Sequence, residues 1–221
     1  MNIEQARFNM IEQQIRPWNV LDLDVLSLLG VARREDFVPA VHKALAFSDT
    51  EIPLADGGRD GQIMLAPRLE ARLLQEARVQ RHERVLEIGT GSGYMAALLG
   101  HRAQSVLTLE RVPALARQAA ESLRAAGVTN VTVREADGAR GAAGDAPFDV
   151  IVLSGSVARV PADLIDQLKP GGRLLAVVGD LPMMVAQRIT RLPNGGLHTE
   201  PLFDTVAPRL VGFSDSPRFQ F

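Results

Sequence analysis

One run of residues limits what this chain can fold into: Val85-Leu86-Glu87-Ile88, then Gly89-Thr90-Gly91-Ser92-Gly93, then Tyr94-Met95-Ala96-Ala97-Leu98-Leu99. Four strand-type residues end in a glycine-rich turn, and the turn opens an apolar helix, which is how a βαβ unit begins. The rhythm continues. Strands are predicted at 105–110, 131–134, 148–153 and 173–178. A helix is predicted from Pro113 to Ala126, closed by Gly127, and another from Ala162 to Leu168, stopped by Lys169-Pro170-Gly171-Gly172. Strands alternating with helices predict an α/β fold, a doubly wound and mostly parallel sheet. After it, Ala186–Arg191 and Leu197–Leu202 flank the turn Pro193-Asn194-Gly195-Gly196, a hairpin pattern at the sheet edge.

The first 80 residues differ in character. Helices are predicted over 2–16, ended by Pro17; from an Asp22 cap through Leu29; over 35–47, interrupted at Pro39; and over 67–78. A loop rich in chain breakers spans Asp49 to Gly61. No Pro/Ser-rich linker separates this half from the rest. Residues 1–80 therefore read as a helical extension with a substrate-side loop, packed on a main domain of 81–221.

In open α/β sheets, ligands bind outside the carboxyl ends of the strands, where the strand order reverses. The glycine turn sits at such an end. A dinucleotide fingerprint needs its third glycine one residue later, and a Walker loop needs Gly-Lys-Ser/Thr, which is absent. The reading that remains is a nucleoside-and-methionine pocket of the class I S-adenosylmethionine methyltransferase type. Glu87 would hold the amino-acid end. Glu110, ending the second strand, would accept both ribose hydroxyls. Asp137, followed by Gly138 after the third strand, would accept from the adenine amino group.

Composition removes competing classes. The 221 residues carry 24 Lys plus Arg against 26 Asp plus Glu, a formal net charge of −2, so no global field favours nucleic acid or an anionic membrane. There is no cysteine, hence no disulfide, thiolate nucleophile or cysteine-held metal. His42, His82, His101 and His198 show no metal-ligand spacing, and no metal site is expected. No apolar run approaches the ~20 residues of a membrane span, and the polar start lacks a signal-peptide pattern, so a cytoplasmic protein is expected.

The run Val85–Tyr94 also closely resembles the signature of the protein-L-isoaspartate O-methyltransferase family. Glu35-Asp36-Phe37-Val38-Pro39, Ala46–Asp49, Ile52-Pro53-Leu54, Gly61-Gln62, Ala66-Pro67, Asp145–Asp149 and Gln167–Leu174 are similar to further family motifs in the same order. The resemblance covers roughly residues 10–180. It implies a Rossmann-like class I methyltransferase that moves a methyl group from S-adenosylmethionine to the α-carboxylate of an L-isoaspartyl residue. The ester then collapses to a succinimide, which makes the reaction a protein repair. It implies cofactor-binding roles for Glu87, Gly89, Thr90, Gly91, Gly93, Glu110, Arg111, Asp137 and Gly138. Gln62, Leu65 and Ser154 fall at substrate-side positions. Leu65 stands where the family has a hydrogen-bonding serine, and leucine has no donor to offer. Ser154 keeps a hydroxyl where the family has threonine, in a loop of different composition. Cofactor features are thus kept and acceptor features altered. The acceptor is expected to be a peptide or protein carboxylate, with a small molecule or a weakly active binding protein as alternatives.

Four other features are read blandly. Trp18, beside Arg16 and Pro17, is expected to pack a helix end, with the lining of a substrate lid as the alternative. Arg33-Arg34-Glu35-Asp36 is expected to be a solvated helix boundary. Arg68 is expected to sit on the surface at a helix start, with a substrate-side charge as the alternative. Met183-Met184 is expected to pack apolar surface.

Overall fold

The computed structural model describes residues 2–55 and 62–214. The alternating pattern folds as one seven-stranded sheet. Its strands are β3 (Arg84–Ile88), β4 (Ser105–Glu110), β5 (Val131–Glu135), β6 (Phe148–Val157), β7 (Leu168–Asp180), β8 (Met183–Arg191) and β9 (Leu197–Thr205). The order is β5-β4-β3-β6-β7-β8-β9. β3 to β7 pair in parallel, while β8 is antiparallel to both β7 and β9. The chain steps outward from β3 to β5 and returns to β6 on the other side of β3. The carboxyl end of β3 is therefore the point where the strand order reverses.

One face of the sheet packs against the helices α3 (Pro67–Ala77), α4 (Tyr94–Arg102) and α5 (Pro113–Ala125), and α2 (Leu23–Val31) packs on α3 and α4. Residues Tyr94 to Gly100 of α4 are all buried, as expected of a helix that is apolar on every side. Apolar residues of the first 80 positions share one core with this face: Ile15, Val25, Leu29, Phe37 and Leu65 lie with Val85, Val150 and Leu175. The opposite face is covered more thinly, by α6 (Ala162–Ile165), the turns at 138–145 and the segment around Leu210 and Phe213.

Several expectations change. α1 (Ile3–Met10) gives way to a π turn over Ile11–Ile15 and a 3-10 turn over Arg16–Trp18, instead of one helix over 2–16. The 35–47 stretch holds only 3-10 turns, at Arg34–Asp36 and Ala40–Leu45, because Pro39 has no N–H to donate and disfavours helix before it. The breaker-rich loop contains a two-stranded ladder, β1 (Ile52–Pro53) against β2 (Ile63–Met64). Gly57, Gly58 and Gly61 lie outside the described residues. α6 stops at Ile165, short of Leu168, because Leu168 already pairs with Phe148.

The charged string at 33–36 is not a solvated boundary throughout. Arg34 is 1% exposed and Glu35 is 6% exposed. Arg34 donates to the Glu70 carboxylate and, over 2.7 Å, to the Leu65 carbonyl, while Glu35 accepts from buried Arg7. Burial raises the Glu70 carboxyl to about 7, against the opposing pull of Arg34.

Candidate active site

The site is built at the carboxyl end of β3. Gly89, Gly91 and Gly93 have φ of +92°, +53° and +85°, the left-handed region that favours glycine. At Gly89 a Cβ would stand 2.8 Å from Leu210 Cδ2, so Leu210 would have to shift to admit a side chain there. Gly93 forms the N-cap of α4 and lies close to Ala119 of α5.

Glu110, at the end of β4, ties the turn down. Its Oε2 accepts from the Gly91 N–H at 2.9 Å and its Oε1 from the Val112 N–H at 3.0 Å. A carboxylate has about four lone-pair sites, so Glu110 keeps capacity for two more donors. Beside it a cavity opens, walled by the apolar side chains of Ile88, Leu109, Val112 and Leu115 and by the backbone of Ala136 and Gly138. An apolar slot next to a carboxylate with spare acceptors suits a planar base joined to a ribose.

Beneath the turn runs a buried polar chain. Glu87 is fully buried. Its Oε1 accepts from Ser154 Oγ at 2.6 Å and its Oε2 from Thr108 Oγ1 at 2.7 Å, and Thr90 Oγ1 lies 2.7 Å from Thr108 Oγ1. Burial pushes the Glu87 carboxyl up to about 8, against the two hydroxyl bonds that favour its charged form. Ser154 reaches the cavity because β6 does not end at Leu153. It continues to Val157, and its pairing with β7 shifts register between Val152 and Ser156, which turns Ser154 out of the ladder.

A C-terminal strap completes the wall. The Ser156 N–H donates to the Pro208 carbonyl at 2.7 Å and the Leu210 N–H to the Ser156 carbonyl at 2.9 Å. Leu210, Val211 and Phe213 thereby line the cavity and reduce its enclosed space to about 80 Å³. That is well below the roughly 300–1,000 Å³ usual for ligand clefts.

The structure gathers Gln62, Gly89, Gly91, Glu110, Arg111, Gly138 and Ser154 around this cavity. Glu87 and Thr90 are packed beneath it rather than on its wall. Asp137 is exposed at the rim, where its Oδ1 accepts from the Ala139 N–H, and it is not a wall residue. Leu65 is absent from the wall too: its side chain is 5% exposed and belongs to the core. Thr108 went unnoticed in the sequence. Thr108 could have been found from the pairing of β4 with β3, which puts it opposite Glu87. Among the described residues no cluster of His, Asp and Glu is arranged to hold a metal, and no helix is long and apolar enough to cross a membrane.

Comparison with known proteins agrees with this architecture. The profile of the family described as Protein-L-isoaspartate(D-aspartate) O-methyltransferase matches residues 5–206. A protein-L-isoaspartate O-methyltransferase of Methanoculleus marisnigri is 39% identical over 205 residues, which span 90% of this chain and 91% of that one. Another, of Brucella anthropi, is 37% identical over 214 residues, spanning 96% and 95%. A solved protein-L-isoaspartate O-methyltransferase shares the fold with a TM-score of 0.79 at 23% identity, over 93% of this chain and 66% of that one. A candidate enzyme of the same name from Plasmodium falciparum, solved with S-adenosyl-L-homocysteine, gives 0.72 at 21%, over 95% and 99%. The profile spans the glycine turn and Glu110, the two relatives cover nearly the whole length, and by that measure the chain belongs to the protein-L-isoaspartate (D-aspartate) O-methyltransferase family.

Proposed function

We propose that the chain is an S-adenosylmethionine-dependent carboxyl methyltransferase acting on L-isoaspartyl residues of proteins or peptides. The observation that carries this reading is the Glu110 carboxylate. It is anchored by Gly91 and Val112, retains acceptor capacity, and borders an apolar slot at the switch point of a chain of this family. The cofactor supplies an electrophilic methyl group on a sulfonium centre. Glu110 accepts from the ribose hydroxyls, Ile88, Leu109 and Leu115 flank the base, and Asp137 at the rim serves its amino group. Ser154 presents its hydroxyl to the cavity and fixes Glu87 behind it, so that a bound cation draws the Glu87 carboxyl toward its charged form.

The acceptor needs no general base. A carboxylate of pKa about 4 is ionised at neutral pH. The protein's task is to strip water from it and to aim it along the methyl axis. Gln62, on the cavity wall, offers an amide N–H for that aim.

One observation favours a second reading, a same-fold enzyme with another acceptor. Leu65 offers no donor and its side chain is committed to the core. The deciding experiment mixes the protein with S-adenosylmethionine carrying a labelled methyl group and an isoaspartyl peptide, with the aspartyl peptide as control. Base-labile label on the isoaspartyl peptide alone establishes the first reading. Bound cofactor without transfer to it overturns the first reading in favour of a different acceptor or a binding-only role.

A further inference from the structure

A large recess among the described residues is separate from the cofactor cavity. It encloses about 880 Å³ at the carboxyl edge of the sheet, between the N-terminal helices, the start of α3 and the β8–β9 end. A neighbouring recess of about 650 Å³ shares Glu51 and Val206 with it, and shares Ile63, Leu210 and Phe213 with the cofactor cavity. The three adjoin one another through these shared wall residues, and the first is a groove beside the cofactor cavity.

The groove's chemistry is unlike that of ordinary surface. Trp18 and Met183 line it and are 37% and 80% exposed, so neither serves as plain internal packing. The cation in the recess, Arg68, is already committed: Nη1 bonds Asp49 Oδ2 at 2.5 Å and the guanidinium stacks 4.1 Å from the Trp18 ring centroid. Against it stand three carboxylates, Asp49, Glu51 and Asp204. Asp49 Oδ1 is buried with no hydrogen-bond partner. Partial burial raises the Glu51 carboxyl above its ordinary value. A buried acceptor without a donor is costly and calls for one from a ligand.

We propose that this groove is a specificity subsite for the peptide acceptor, taking a lysine or arginine that flanks the modified residue. The apolar stem lies along Trp18 and Met183, and the cationic head meets Glu51 and Asp204. Long basic side chains have this division of apolar stem and charged tip. Acidic flanking residues are repelled by the same two groups. The inference rests on the peptide-methylating reading above.

Trp18 is the one tryptophan in the sequence, so its fluorescence reports on this groove whether or not methyl transfer occurs. Two isoaspartyl peptides, one with flanking Lys and one with flanking Glu, are titrated into the full-length protein, and methyl transfer to each is measured in parallel. The Lys peptide should shift Trp18 emission and bind about tenfold more tightly, the effect of two partly screened ion pairs. Glu51→Gln combined with Asp204→Asn should cut that preference to about threefold or less, and so should salt near 0.5 M. Equal binding of the two peptides, with both methylated, overturns the subsite and leaves the function intact. A Lys preference in Trp18 emission with no transfer to either peptide supports the subsite and overturns the isoaspartyl reading. If neither peptide perturbs Trp18 while removal of residues 215–221 does, the groove belongs to the chain's own tail and the proposal fails.

Discussion

Glu87 should make the protein less stable as the pH rises, and replacing it with glutamine should remove that dependence. Its carboxyl has an ordinary value of 4.5 and is raised to about 8 by full burial. Below 4.5 the group is protonated in both folded and unfolded chains, and its contribution is fully present. Between 4.5 and 8 the unfolded chain gives up the proton and the folded chain keeps it, so unfolding gains. Above 8 both are ionised and the loss is complete. At 1.36 kcal/mol per pKa unit the whole window is worth about 5 kcal/mol, of which about 2 kcal/mol falls between pH 6 and pH 8. Glu87→Gln is the matched perturbation. Its amide oxygen can accept from one of Ser154 and Thr108 while its N–H donates to the other, as the protonated acid does. Urea unfolding of both chains at several pH values in that range measures the difference. Other titrating groups, including Glu70 raised to about 7 by burial, act in both chains and cancel to first order. Wild-type stability should fall relative to the variant by about 2 kcal/mol from pH 6 to pH 8. Parallel curves for the two chains would refute the claim that Glu87 is held protonated in the folded state.

Gly89→Ala places a methyl group 2.8 Å from Leu210 at φ +92° and should weaken cofactor binding at least about tenfold, read by calorimetric titration with S-adenosylhomocysteine. Glu110→Ala removes the acceptor for Gly91 and Val112 and should cost about 1–3 kcal/mol in cofactor affinity, measured the same way; unchanged affinity would place the ribose elsewhere. Leu65→Ser should lower stability by about 2–4 kcal/mol in urea unfolding without raising transfer to isoaspartyl peptides, because the side chain faces the core; a gain in kcat would show that the serine position still addresses the acceptor. Leu210→Ala trims the strap where it covers Gly89 and should speed cofactor dissociation in stopped-flow fluorescence.

The βαβ units were legible because each strand is a short apolar run bounded by a glycine or proline signal. β4 has the expected limits and β3, β5 and the hairpin lie within a few residues of theirs. The N-terminal helices were less legible. Nothing local announces that residues 11–15 widen into a π turn and 16–18 tighten into a 3-10 turn, while Ile11 and Ile15 pack into the shared core. Sequence placed Glu110 and Ser154 at strand ends, where both now meet the cavity. It could not place Leu65, because a position aligned with a donor says nothing of which way the side chain turns. Nor could it tell that Arg34 is buried, since its partner Glu70 is 36 positions away on another element. Charged residues close in sequence suggest pairing with one another; burial selects partners that are close only in space.

The strap also sets an order on how the site comes into being. During synthesis the glycine turn, Glu110 and Ser154 all leave the ribosome before Pro208 and Leu210 do. A growing chain can zip β3 to β9 together and still lack the wall that Ser156 recruits through its two main-chain bonds. Until then the Gly89 backbone and the Glu110 carboxylate face an open crevice. Cofactor present at that stage meets a wide entrance, whereas cofactor added to finished protein must wait for the strap to lift. Enzyme made in cells rich in S-adenosylmethionine or its spent product should therefore retain it through purification, and the apo form should be most accessible by unfolding and refolding the chain without ligand.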